Sequence, residues 1–260
     1  MSARPANGVL TISIDWRADA TGPDLVAERA IDQLGDNLAA LFDALKLPAT
    51  LAVAEPAAIS SVQGFSASPI GHEIALLGDE TWIGRDVTPS RFARELARRI
   101  EGGRGAGYSV STLVVKSLAL DYAGLAARQG ITAVRHMRTD KPTANRGLRS
   151  RALHFGLWSF PVTITLPGTS RWWPGGGGGR SATAAIDQTI AQGGLAQLVI
   201  EAPRMAARLS SYRVLQRVLR HVKHCRDSGL LEVLTIGAMA ARLSTQRQGQ
   251  PSRSILQSAA

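Results

Sequence analysis

The sequence predicts an α/β fold built on a parallel sheet, either open or closed as a barrel. Three observations carry this expectation. Short apolar runs of strand length alternate with helix-period segments over most of the chain. The 260 residues suffice for one large core, a size that α/β barrels reach as one domain. Apolar residues make up 45% of the composition, within the globular range. No apolar run reaches the roughly 18 residues that a membrane-spanning helix needs.

Residues 9–14 alternate apolar and small polar side chains and read as a strand closed by Asp15. Across 24–45, Ala27, Ile31, Leu34, Leu38, Leu41 and Leu45 recur at helical spacing. Leu47-Pro48 stops that helix, because proline lacks the amide hydrogen and clashes with the preceding turn. Residues 50–53 and 72–77 read as the second and third strands. A helix is expected over 90–100, capped by Ser90 and ended by Gly102-Gly103. Further strands are expected at 109–115, 131–136, 156–165, 196–200 and 232–236, with helices at 118–128, 182–192 and 212–227 between most of them. Residues 244–260 are polar and are expected to be a disordered tail. No internal repeat is present.

The net charge of +10 is unevenly placed. Residues 1–90 carry 12 acids and 5 basic residues, whereas 91–260 carry 8 and 25. Arg208, Arg213, Arg217 and Arg220 cluster around one expected helix. Such a surface attracts nucleic acid, anionic lipid or an acidic glycan, but solvated helix faces are the preferred account, and nucleic acid is disfavoured as a partner. Cys225 is the only cysteine, so no intrachain disulfide can form. Residues 1–7 lack the pattern of a secretory signal, and the expected location is the cytoplasm.

Three local motifs have a shared source. They are Ile12-Ser13-Ile14-Asp15, Gly71-His72-Glu73-Ile74, and the stretch from Gly193-Gly194 through Gly229-Leu230-Leu231-Glu232-Val233-Leu234-Thr235. Together they resemble the NodB-like polysaccharide deacetylases over residues 8–243. The resemblance implies a distorted (β/α) barrel of the polysaccharide deacetylase type. It also implies removal of acetyl groups from N-acetylated sugars. That chemistry needs an aspartate base, a second aspartate and two histidines holding a divalent metal, and a late histidine that protonates the departing amine.

Asp15 matches the base. The second aspartate position holds Trp16, the two histidine positions hold Leu77 and Thr81, and the late histidine position holds Glu201. The family's arginine-proline motif is absent near residues 108–112. Asp19, Asp79 and Glu80 could offer oxygen ligands, but a zinc site ordinarily recruits histidine or cysteine. The expectation is therefore a degenerate deacetylase with no metal and no cofactor. It would bind a carbohydrate or acidic glycan, or a protein partner, in glycan or exopolysaccharide metabolism. An active N-deacetylase with a rearranged site around Asp15 and an anion-binding module using the basic half are the alternatives.

Candidate binding residues are Trp16, Arg171, Trp172, Trp173 and Glu201. Aromatic faces stack on sugar rings, and arginine holds an acidic sugar or phosphate. A tryptophan pair pinning the following glycine run would read the same way in sequence. Gly175 to Gly179 lacks the lysine and spacing of a phosphate loop and reads as a flexible loop. His221 and His224 share a helix face and could hold a metal, with Cys225 expected to point elsewhere. Surface histidines and an inert cysteine are the preferred reading.

Overall fold

A computed structural model describes residues 8–16, 25–58, 63–79, 81–84, 86–115, 118, 120–136, 151–152, 154–166, 177–207 and 209–248. Its strands are β1 (Gly8–Trp16), β2 (Thr50–Val53), β3 (Glu73–Leu77), β4 (Thr112–Val115), β5 (Ala133–His136), β6 (Arg151–Ala152), β7 (Trp158–Phe160), β8 (Ile164–Leu166), β9 (Leu195–Glu201) and β10 (Leu231–Leu234). Its helices are α1 (Leu25–Leu45), α2 (Gln63–Ser66), α3 (Pro89–Gly105), α4 (Leu120–Arg128), α5 (Gly177–Gln192), α6 (Ala202–Ala206), α7 (Leu209–Asp227) and α8 (Ile236–Gln248).

The strands run in the order β6-β7-β5-β4-β3-β2-β1-β9-β8, and β10 pairs with the first half of β1. Every ladder is parallel except β6 with β7. β7 and β8 stand at opposite positions in that order, yet only residues 161–163 separate them. Three residues span at most roughly 3.3–3.6 Å each. One stretch of chain therefore pairs β5 at its start and β9 at its end, curling the sheet into a distorted barrel. The sequence predicted a single strand over 156–165; Pro161, which cannot donate to a ladder, divides it.

Alternation along each strand sorts side chains into two environments. Leu10, Ile12, Ile14, Leu51, Val53, Leu198 and Ile200 face outward and pack with α1, α5, α6 and α7 in the larger core. Leu76, Leu113, Val115 and Val134 pack with α3 and α4 in a second one. Inward positions carry Thr11, Ser13, Thr50, Thr112, Arg135, Thr165 and Gln197, all buried. An all-apolar interior would be the usual filling of such a barrel. Polar inward residues on six strands are a departure from it.

Helix α8 closes the N-terminal end of the barrel. Ile236, Met239 and Ala240 pack on Ala133 and Phe160. Its first amides find side-chain acceptors from the strands: Ile236 N donates to Thr50 Oγ1 (2.9 Å) and Gly237 N to Glu73 Oε2 (2.8 Å). Glu73 also accepts from Thr50 Oγ1 (2.8 Å) and Thr112 Oγ1. A carboxylate there satisfies orphan helix donors and complements the positive end of the helix dipole. His72, next along, accepts the Ala49 amide at Nδ1 (3.1 Å) and meets Phe42 and Phe65 edge-on. Gly71-His72-Glu73-Ile74 is thus a structural joint at the bottom of the barrel.

Several boundaries differ from the sequence reading. Helix α3 is capped by Thr88, whose side chain accepts from the Arg91 amide, rather than by Ser90. It runs through Gly102 and Gly103 because a bare Cα is what the neighbours tolerate: a Cβ on Gly103 would lie 3.0 Å from Val110. The glycine run is partly helical, since α5 begins at Gly177. Residues 244–248, expected in the tail, belong to α8, where Ser244 Oγ accepts from Trp158 Nε1 (2.8 Å). Residues 249–260 lie outside the described residues. Among the described residues no helix is long and apolar enough to cross a membrane.

Candidate functional site

β1 delivers Asp15 to the C-terminal mouth of the barrel, in register with Ala52 on β2 and Glu201 on β9. The inward parity of Thr11 and Ser13 carries over to Asp15, so its carboxylate faces the interior. From β5, Arg135 reaches across and donates Nη2 to Asp15 Oδ1. The Arg135 side chain is 1% exposed and that of Asp15 is 14% exposed. The pair is therefore reachable from the mouth only at its carboxylate. Ser13 Oγ lies 3.4 Å from the same oxygen. Arg135 Nε is buried and has no partner among the described residues, and the same holds for Thr11 Oγ1, Thr165 Oγ1 and both amide atoms of Gln197. Buried polar atoms of this kind are ordinarily satisfied by ordered water.

Next to Arg135, burial pushes the His136 imidazole below its ordinary range, and the arginine charge adds to this. Glu201 closes β9, with Arg204 Nη1 2.6 Å from its Oε2 as an ion pair rather than an aligned hydrogen bond. Trp16 is 6% exposed and sits with the outward-facing residues of the larger core. Its ring offers no open face for a sugar. Arg171, Trp172 and Trp173 lie outside the described residues.

The resemblance to metal-dependent deacetylases can be tested at each ligand position. Leu77 is 2% exposed and packs inside the barrel with Ala52, Ala75 and Val114. Thr81 is held in a local turn, its amide and hydroxyl both donating to Asp79 Oδ1 (2.8 and 2.5 Å). Asp79 is thereby committed to the same turn. The loop is anchored by Trp82, 1% exposed, which stacks on Phe92 and lies under the Arg99 guanidinium. Asp19 and Glu80 are outside the described residues. Among the described residues, apolar Leu77, outward Trp16 and turn-bound Thr81 do not fit a divalent metal beside Asp15, and no step through a metal is derived there.

Arg135 was not singled out in the sequence. Its signal is one arginine inside an otherwise strand-like apolar run, at a position whose parity points inward. Reading that signal requires knowing that β1 and β5 face each other across the barrel, which no local pattern reveals. Residues 221–225 also rearrange relative to expectation. Cys225 shares the face of His221, with Sγ 3.6 Å from His221 Nε2, and His224 is exposed and stands apart.

No protein-family model matches the sequence, and no curated protein matches it. Solved structures do match in fold. A candidate polysaccharide deacetylase from Mycobacterium smegmatis superimposes with a TM-score of 0.72 at 16% identity, covering 94% of this chain and 93% of its own. A probable polysaccharide deacetylase from Pseudomonas aeruginosa PAO1 gives 0.63 at 13% identity, covering 94% and 93%. An allantoinase gives 0.65 at 14% identity with the same coverage. The chain therefore has the polysaccharide deacetylase-type barrel that its motifs indicate. These likenesses establish the fold alone.

Proposed function

We propose that this chain is a cytoplasmic protein of the polysaccharide deacetylase fold that binds a carbohydrate or acidic glycan at the barrel mouth without metal-dependent deacetylation. The observation that carries the reading is the filling of the expected ligand positions: Leu77 is apolar and packed inside the barrel, Trp16 faces outward, and Thr81 is held in a turn by Asp79. Asp15, with Oδ1 accepting from Arg135, keeps its carboxylate partly exposed at the mouth. A carboxylate that keeps some exposure, with Glu201 on the neighbouring strand, suits recognition of sugar hydroxyls. Arg171, Trp172 and Trp173 are offered as the stacking and charge-holding part of the same site on sequence grounds. Binding of this kind would serve glycan or exopolysaccharide handling.

The test is calorimetric titration of N-acetylated and acidic oligosaccharides, run beside an acetate-release assay with Zn²⁺ or Co²⁺ added. The expected result is binding without acetate release, with binding weakened in Asp15→Asn. Acetate release that disappears in Asp15→Ala would establish the active N-deacetylase instead. Failure of every glycan to bind would refute the proposal.

One observation favours the anion-binding alternative. Arg213, Arg217 and Arg220 form an exposed stripe on α7 with no acidic partner among the described residues. If the stripe binds nucleic acid, affinity will fall steeply as salt rises; salt-insensitive or absent binding removes that reading.

A further inference from the structure

Outside the barrel, α5 packs against α7, and three chemically different donor groups meet in the seam. Asp187 comes from α5, while His221 and Cys225 come from successive turns of α7. Their ligand atoms all lie within 4.8 Å of one another. Asp187 Oδ1 is 2.7 Å and Cys225 Sγ is 3.6 Å from the same ring nitrogen, His221 Nε2.

That shared nitrogen decides between two kinds of chemistry. A nucleophilic relay needs the carboxylate on one imidazole nitrogen and the thiol on the other. Here both converge on Nε2, so no proton can pass from thiol to carboxylate through the ring. Convergence on a single point is the geometry of ligation instead.

We propose that Asp187, His221 and Cys225 form a binding site for a borderline divalent transition metal, with Zn²⁺ as the representative ion. Zinc takes sulfur at about 2.3 Å, imidazole nitrogen at about 2.0–2.1 Å and carboxylate oxygen at about 2.0–2.2 Å, in a tetrahedron. Ligand atoms around such an ion stand roughly 3.2–3.6 Å apart. The sulfur–nitrogen separation already has that value, and only the carboxylate must withdraw from its hydrogen bond. Asp187 is free to do so, since its side chain is 58% exposed. Its exposure also provides the entry path, and water completes the fourth position. Cysteine loses its proton to solvent on binding, so the thiolate and carboxylate together neutralise the ion. Bound metal would clip α5 to α7, and it lies apart from the barrel mouth.

The lone cysteine makes the test unambiguous, because any thiolate–metal absorption must come from Cys225. The full chain is stripped with chelator and titrated with Co²⁺, reading the sulfur-to-cobalt charge-transfer band. Zn²⁺ affinity is then measured by competition against a chromophoric chelator, and melting temperature is recorded with and without Zn²⁺. The expected result is one equivalent of Co²⁺ with a charge-transfer band, and a melting temperature raised by Zn²⁺. Cys225→Ser should abolish the band. His221→Gln, a milder change at a partly exposed position, should weaken Zn²⁺ by more than the roughly 10–100-fold that loss of an outer partner costs. His224→Gln should leave both readouts unchanged. Absence of the band in the parent chain would overturn the site. So would a band that survives His221→Gln and Asp187→Asn at undiminished affinity.

Discussion

Glu73 is the residue at which the structural and catalytic readings of Gly71-His72-Glu73-Ile74 diverge most sharply. Its carboxylate accepts from Thr50, Thr112 and the Gly237 amide, and so joins β2, β4 and the start of α8 to β3. Hydrogen bonds to a charged group contribute about 1.5–3 kcal/mol each, with the helix-end term adding about 0.3–1 kcal/mol. The three bonds act as one network, so they do not add fully. Thr50 also retains the Ile236 amide as a donor to its oxygen. Glu73→Ala should therefore cost about 3–5 kcal/mol, below the naive sum of about 5–10 kcal/mol. With a urea m-value of about 1–3 kcal/mol per M, that lowers the unfolding midpoint by about 1 M or more. Glu73→Gln keeps one acceptor oxygen but presents an amide to donors, and should fall between the two. The assay is urea unfolding followed by far-UV circular dichroism. A midpoint for Glu73→Ala within about 0.3 M of the parent would refute the joint. It would leave the motif available for a role at a binding site.

Four further expectations follow from the same contacts. Removing one partner of a buried ion pair costs about 3–5 kcal/mol, so Arg135→Leu should destabilise toward the low end, because Asp15 keeps some solvent. A double-mutant cycle with Asp15→Asn should return coupling above about 0.5 kcal/mol, and a coupling of zero removes the pair. Leu77→His should not create a metal site at the mouth, since it places imidazole among Ala52, Ala75 and Val114; an additional equivalent of metal, beyond any the parent chain binds, would show that the mouth accepts an ion. Gly237→Ala should lower the melting temperature, because its Cβ would stand 2.7 Å from Glu73 Oε1 and 3.1 Å from Ser111 Oγ.

The last concerns pH. Burial holds the His72 imidazole below its ordinary range, partly offset by Asp43. The folded state thus favours the neutral ring, consistent with Nδ1 accepting the Ala49 amide. The unfolded chain binds the proton more readily, so the contribution is complete above about pH 6.5 and is lost as pH falls from there toward the folded value. His136 acts in the same direction through burial and then Arg135. Urea midpoints measured from pH 7.5 to 5 should fall, and His72→Asn should flatten the slope; an unchanged slope would contradict the assignment.

Much of the architecture was legible because it is written in local periods. Alternation placed β1 and short apolar runs placed β2, β3 and β9 to within a residue or two, and the 3.6-residue stripe of Leu34, Leu38 and Leu45 placed α1 and its end before Pro48. Boundaries failed where packing overruled propensity, as at Gly103 in α3 and at the glycines that open α5. Cys225 and His221 are four apart and share a face by helical geometry alone. Asp187 joins them only because α5 lies alongside α7.

The motifs in the chain indicate the barrel and the positions, Trp16, Leu77, Thr81 and Glu201, at which the family's ligands are expected. They do so because residue identity and order are one-dimensional facts. Sequence order could not say that Glu73 belongs to the floor of the barrel rather than its mouth, or that Trp16 faces outward. It could not say that Arg135 meets Asp15 across the interior, 120 residues away. Closure of the sheet decides those contacts, since the parity of each strand becomes a direction only when the opposite wall is in place.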